Sequence, residues 1–155
     1  MKRVAELVHG KGMPFGLHSC GDNEEIMEEL ISGVGIDAKH SFQDNVMPVT
    51  QFKEKYGSRI AVLGGVDMDK LALLPVEEFR PYCRRVLQEC MPGGGYAFGT
   101  GNSAATYVRL ENFFAMHEEG FAHGCYGRAE IPGGTILRAP SAPGGTLSRR
   151  RQTRH

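Results

Sequence analysis

Nothing in the 155 residues approaches the roughly 20 consecutive apolar positions that carry a helix across a bilayer. That lack excludes a membrane-spanning helical protein. The opening stretch, MKRVAELVHGKG, has charges but no apolar segment followed by a small-residue cleavage site, so no secretory leader is expected. Cysteine is sparse. The four (Cys20, Cys83, Cys90 and Cys125) are irregularly spaced and read as thiols, not as a disulfide framework, which makes a reducing, cytoplasmic setting the expectation. Net charge is also missing, since 18 Lys+Arg balance 18 Asp+Glu.

That zero is a sum over two unlike segments. Residues 127–155 carry six Arg against one acid, a balance of +5. Residues 1–126 carry twelve basic and seventeen acidic residues, a balance of −5. The basic segment holds five Gly and three Pro, contains PGGT twice and ends SRRRQTRH. It has almost no periodic apolar pattern and is expected to be a disordered tail. An Arg run without a folded basic face is a weak nucleic-acid signal, so nucleic acid is not an expected partner.

The body, with a chain average of 41% hydrophobic residues, has enough apolar material for one core. Its pattern alternates helix and strand. Val4, Leu7 and Val8 lie at helical spacing before Gly10. Pro14 to Leu17 is a short apolar run leading into His18-Ser19-Cys20-Gly21. Asp22 to Glu25 offers a helix cap and a negative first turn, with Ile26, Leu30 and Ile31 as the expected buried stripe and Gly33 and Gly35 as the stop. A strand is predicted over 36–42, a helix from Pro48 to Tyr56, and a strand over 60–63. A helix over 75–90 carries Pro81, which predicts a kink or break near Arg80. Residues 96–98 form the fourth strand, and a last helix spans about 110–122. Short apolar strands alternating with amphipathic helices predict a parallel α/β sheet with right-handed crossovers.

In such sheets ligands collect beyond the carboxyl ends of the strands. Four such ends are marked here by polar or glycine-rich residues: His18 and Cys20; Ser41 and Gln43; Gly64, Gly65 and Asp67; Thr100 and Asn102. His18-x-Cys20 is the sharpest feature. Residues i and i+2 of a strand share a face, and imidazole with thiolate suits zinc. Two ligands do not make a site, and by themselves the pair reads more readily as a partly buried His and a core Cys at a strand end. Asp67 could accept a hydrogen bond from a ligand, coordinate a cation, or cap the next helix. Gly99-x-Gly101-Asn102-Ser103 lacks the Lys of a phosphate loop and the third Gly of a dinucleotide fingerprint. Asn102 is better read as an amide for a bound polar group.

Taken in order, His18-Ser19-Cys20-Gly21, Gly35-Ile36-Asp37-Ala38, Tyr56-Gly57-Ser58-Arg59-Ile60, Leu63-Gly64-Gly65-Val66-Asp67 and Gly99-Thr100-Gly101-Asn102-Ser103 followed by Leu110-Glu111-Asn112 resemble the C-terminal half of the uroporphyrinogen decarboxylase superfamily. The resemblance implies a half-barrel over 1–126, about four βα units of a TIM (β/α)8 barrel, with the 127–155 tail outside the family pattern. The expectation is a fragment of a longer enzyme, or a half-barrel whose open edges self-associate. The superfamily includes the decarboxylase of haem biosynthesis and the zinc-dependent methyltransferases that move methyl groups between corrinoid proteins and thiols.

His-x-Cys-Gly is similar to the methyltransferase branch. By that resemblance His18 and Cys20 are metal ligands; from their places at the strand ends, Asn102 and Asp67 are the expected catalytic residues and Gln43, Gly64, Gly65 and Thr100 the expected substrate-binding residues. Zinc and a corrinoid methyl donor are the implied cofactors, and a corrinoid protein or small-molecule substrate the implied partner. The third zinc ligand of that branch is a Cys at the last strand end, where this chain has Asn102. The decarboxylase branch typically has His there and does not use His-x-Cys. Decarboxylation of a tetrapyrrole polycarboxylate, or an inactive fragment with a nonspecific basic tail, are the alternative readings.

Overall fold

Four short parallel strands, β1 (Gly16–His18), β2 (Ala38–His40), β3 (Ala61–Leu63) and β4 (Tyr96–Ala97), form one sheet in the order β1-β2-β3-β4 in a computed structural model, which describes residues 1–127. The expected tail lies, but for Gly127, outside the described residues. Each strand is followed by helix. The complete helices are α1 (Lys2–His9), α2 (Val49–Tyr56), α3 (Met68–Leu73), α4 (Val76–Cys90) and α5 (Leu110–His123). Between β1 and β2 the chain makes a 3-10 turn over Glu24–Ile26 that runs into a π-helical segment over Glu29–Val34. The expected α/β alternation is present, with α3 as one helix more than the pattern predicts. No helix of the described residues is long and apolar enough to cross a membrane.

The strand register sorts side chains cleanly onto two faces. Leu17, Lys39, Val62 and Tyr96 lie abreast, and the last three are buried among the helices. Gly16, Ala38 and Ala61 form one row on the opposite face, and His18 and His40 belong to the next. Leu63 and Ala97, paired with each other, share that face. These residues are half-buried or exposed, and no helix among those described covers them. Among the described residues, the sheet is thus packed on one side and bare on the other.

The core follows helical spacing. α4 buries Phe79, Tyr82, Cys83, Val86, Leu87 and Cys90 as one stripe. α4 continues through Pro81 without the break that was one of the two expected outcomes. Pro81 sits near the helix start and is exposed, so water can satisfy the carbonyl that loses its partner. The stripe after β1 is also rotated from expectation. Leu30 is buried, but Met27 replaces Ile26, which is exposed, because the opening turn is 3-10 and winds tighter than 3.6 residues. Gly35 ends that segment in the left-handed region (φ 82°), as a C-terminal glycine can.

Asn112 of α5 fixes α3 from outside. Its amide donates to the Leu71 and Leu74 carbonyls (3.0 and 2.9 Å) at the end of α3. α5 is fastened to α4 by Glu119, which is buried and accepts from Arg80 (3.0 Å) and Arg84 (2.7 Å). These two guanidinium groups, Arg84 first, hold the Glu119 carboxyl down to about 2.

Candidate functional site

The sheet ends, at the carboxyl side, in a cluster of five polar side chains, His18, Cys20, His40, Ser41 and Asn102. His18 and His40 close β1 and β2 in register, with their rings 4.7 Å apart. Their hydrogen bonds can be assigned from one fixed end. The Thr100 carbonyl can only accept, so His40 Nε2, 3.1 Å away, carries a proton. In the neutral ring His40 Nδ1 is then the acceptor. His18 Nδ1, 2.7 Å from it, must be the donor. That leaves His18 Nε2 with a lone pair, 3.5 Å from Cys20 Sγ.

Two further groups converge on the same sulfur. The Asn102 Nδ2 donates to Cys20 Sγ at 3.3 Å. Its amide is oriented by the Ser103 N–H, which donates to Asn102 Oδ1 at 2.8 Å. Ser41 Oγ lies 3.5 Å from the sulfur. Hydrogen bonds from Ser41 and Asn102, and the charge of Lys39, lower the Cys20 pKa below that of an ordinary thiol. Cys83 and Cys90, by contrast, are pushed up to about 12 by burial and are inert packing thiols.

Lys39 is the hidden part of the site. It lies under the sheet and its Nζ donates to the Ser41 carbonyl at 2.6 Å and the Ser19 carbonyl at 3.4 Å. It thereby braces the backbone just before Cys20 and just after β2. Its ammonium also sits 4.4 Å from the Phe42 ring centre, and burial depresses its pKa to about 8.

The glycines after β3 are required by proximity. Gly64 (φ 80°) and Gly65 (φ 110°) are both in the region that favours glycine. A Cβ at Gly64 would collide with the Thr100 carbonyl and stand 2.9 Å from the His40 ring, and one at Gly65 would collide with Val49. Gly64 is therefore what lets His40 reach Thr100. Thr100 enters through its backbone carbonyl.

The structure brings His18, Cys20, Asn102, Gly64 and the Thr100 backbone together. Gln43 and Asp67 stand apart from the sulfur. Gln43 lines a small pocket behind Ser41 with Asn23, Met27, Lys39 and Phe52. Asp67 is buried and spends both oxygens on backbone amides. Oδ1 accepts from Asp69 (2.9 Å) and Lys70 (3.1 Å), capping α3, and Oδ2 accepts from Asp44 (2.8 Å). Residue-by-residue reading missed His40, Ser41's contact with Cys20, and Lys39. The signal for His40 was a second histidine at the next strand end, visible once the strands are set in register.

The donor set can be tested against zinc. Bond lengths of 2.0–2.1 Å to nitrogen and 2.3 Å to sulfur put neighbouring tetrahedral ligands about 3.5 Å apart. The 3.5 Å between His18 Nε2 and Cys20 Sγ matches. The third position does not. Asn102 turns its N–H, not its oxygen, toward the sulfur, and no group of three His, Cys, Asp or Glu able to hold a metal occurs among the described residues. The pair has the spacing, but the described residues do not complete a zinc site.

The uroporphyrinogen decarboxylase (URO-D) family model matches residues 1–120. The chain belongs to this family. Its fold is similar to that of a methyltransferase from Methanosarcina mazei, with a TM-score of 0.62 at 19% identity over 79% of this chain. That match covers 35% of the methyltransferase, so the chain spans about a third of its length. No curated protein matches the chain. The family and the structural likeness identify the four-stranded sheet as part of a TIM barrel, its bare face being the one that turns inward in a closed barrel.

Proposed function

We propose that this chain is the C-terminal half-barrel, residues 1–126, of an enzyme of corrinoid-dependent methyl transfer to a thiol. The observation that carries the reading is the convergence of His18 Nε2, the Asn102 amide and the Ser41 hydroxyl on Cys20 Sγ. The task of such a site is to turn a thiol into a thiolate. An incoming thiol gives its proton to the Cys20–His18 pair, with His18 Nε2 as the lone pair that receives it. The thiolate sulfur then attacks the methyl carbon of the donor. The new S–C bond forms as the carbon–metal bond breaks, and that bond's electron pair leaves with the metal. The methyl donor is a corrinoid, on a partner protein or at the barrel mouth. His18 and Cys20 have the spacing of two zinc ligands, and among the described residues no third ligand completes the set.

The test is methyl transfer from a methylated corrinoid to a small thiol, read as thioether formation. Thioether formed by the chain and lost in both Cys20→Ser and His18→Ala is the expected result. Full rates in both variants would remove the site from the reaction. Release of CO₂ from uroporphyrinogen, without methyl transfer, would move the chain to the reaction for which its family is named.

A further inference from the structure

His40 makes no contact with Cys20 that would mark it as a reacting group, yet its two ring nitrogens are both committed. Nε2 donates to a backbone carbonyl at 3.1 Å and Nδ1 meets His18 Nδ1 at 2.7 Å. A carbonyl is a fixed acceptor, so the order of donors along the chain Thr100–His40–His18 has one solution when both rings are neutral. We propose that His40 is the positioning residue of this site, and that it holds His18 in the Nδ1–H tautomer so that the Nε2 lone pair stays on Cys20.

The alternative tautomer of His18 places a proton on Nε2 and leaves Nδ1 bare. Nδ1 would then face the bare Nδ1 of His40, two acceptors 2.7 Å apart. His40 could relieve this by moving its own proton to Nδ1, but it would then present a bare Nε2 to the Thr100 oxygen. Either way a close acceptor pair results, which is disfavoured against the arrangement in which every nitrogen has a partner. The arrangement repeats the general logic of an oriented imidazole, in which a hydrogen bond at one ring nitrogen decides what the other can do. Three features outside the ring keep it in place. Gly64 leaves the space for the ring to reach Thr100. The strand register puts His40 abreast of His18. The Val66–Thr100 bridge and the Gly101 N–H donating to Val66 O at 2.6 Å hold the Thr100 carbonyl in position.

The inference rests on His18 and Cys20 being the reacting pair, but its test does not depend on methyl transfer. Nitrogen-15 spectra of the full chain with labelled histidine, recorded above the histidine titration range, report which ring nitrogen carries each proton. The expected result is Nδ1–H for His18 and Nε2–H for His40. In His40→Phe, which keeps an aromatic ring and removes the acceptor, His18 should move toward the Nε2–H form. In His40→Asn, whose Oδ1 can stand where Nδ1 stood, His18 should keep Nδ1–H. Nε2–H on His18 in the unaltered protein would overturn the inference, even if neither variant folds. So would an unchanged His18 tautomer in a folded His40→Phe. Loss of methyl transfer with the tautomers as expected would instead count against the function proposed above.

Discussion

Gly64 and His40 are interlocked: a Cβ on Gly64 would stand 2.9 Å from the imidazole of His40 and collide with the Thr100 carbonyl that the imidazole reaches. Gly64→Ala therefore tests the site through backbone space alone, without altering a polar group. The added methyl must displace either the ring or the last strand end, and the residue is strained at φ 80° as well. A loss of about 1–3 kcal/mol is expected from overpacking and the positive φ. It should appear as a lower denaturant midpoint with unchanged slope, together with altered His40 ring signals. An unaffected midpoint would mean that the loop is free to shift.

Asn102→Cys should turn the pair into a zinc site. The amide nitrogen lies 3.3 Å from Cys20 Sγ, so a thiolate from the same backbone position would complete a Cys₂His set of three protein ligands, leaving one place open. Zinc retained through dialysis at close to one per chain is the expected outcome for the variant. The unaltered chain, with two ligands, should retain far less. Equal retention by both would show that the native chain finds its third ligand elsewhere.

Asp67 separates capping from catalysis. Its carboxylate accepts the amides of Asp69 and Lys70 at the start of α3. Ser is also a good N-cap, so Asp67→Ser should lose little cap energy, whereas Asp67→Ala should lose about 0.5–2 kcal/mol. If the residue acts through the cap, methyl transfer follows stability in the two variants. Abolished transfer in a stable Asp67→Ser would give the carboxylate a chemical role.

Glu119 sets an acid limit on the packing of α5 against α4. Its pKa is lowered from the ordinary carboxylate value of 4.5 to about 2 by Arg84 and Arg80. A carboxylate with a depressed folded pKa stabilises fully above its unfolded value, and the contribution fades as pH falls through the folded one. Stability should thus fall between about pH 4.5 and pH 2. Glu119→Gln should be less stable at neutral pH by about 1–2 kcal/mol, discounted because both arginines are partly exposed, and should show a flatter acid limb. Parallel acid limbs for the two proteins would assign the acid sensitivity to other groups.

How much of this was legible in the sequence depends on the range of the interactions. The strands were findable because glycine and proline punctuate short apolar runs, and the strand ends because polar residues recur there. Ile26 was misplaced because a 3-10 turn shifts helical phase by a fraction of a residue, and no local pattern announces that. α3 was missed because its six residues, Met68–Leu73, give less than two full turns of periodicity. His18, Cys20 and Asn102 could be nominated by residue type. Their convergence could not be seen without register, since Asn102 meets Cys20 across 82 positions. His40 and Lys39 sit on neighbouring positions of one strand and face opposite sides. That alternation became informative only once it was known which side the helices cover.

The bare sheet face carries the last prediction. Parallel sheets are almost always covered on both faces, and here His18, His40, Leu63 and Ala97 look outward from one that is covered once. Among the described residues β1 and β4 are also open edges. Four parallel strands are half of the eight that close a TIM barrel. A two-fold axis along the barrel leaves strand direction unchanged, so β4 of one chain could pair with β1 of another in the parallel sense, and the reverse, closing eight strands with no edge. The 155-residue chain should therefore have twice the chain mass by light scattering at micromolar concentration. Leu63→Lys, which places an unpaired charge on the face to be buried, should shift it to a single chain. A single-chain mass for the unaltered protein would show that the face is not covered by a second copy, and an unaltered dimer in Leu63→Lys would place the interface elsewhere on the molecule.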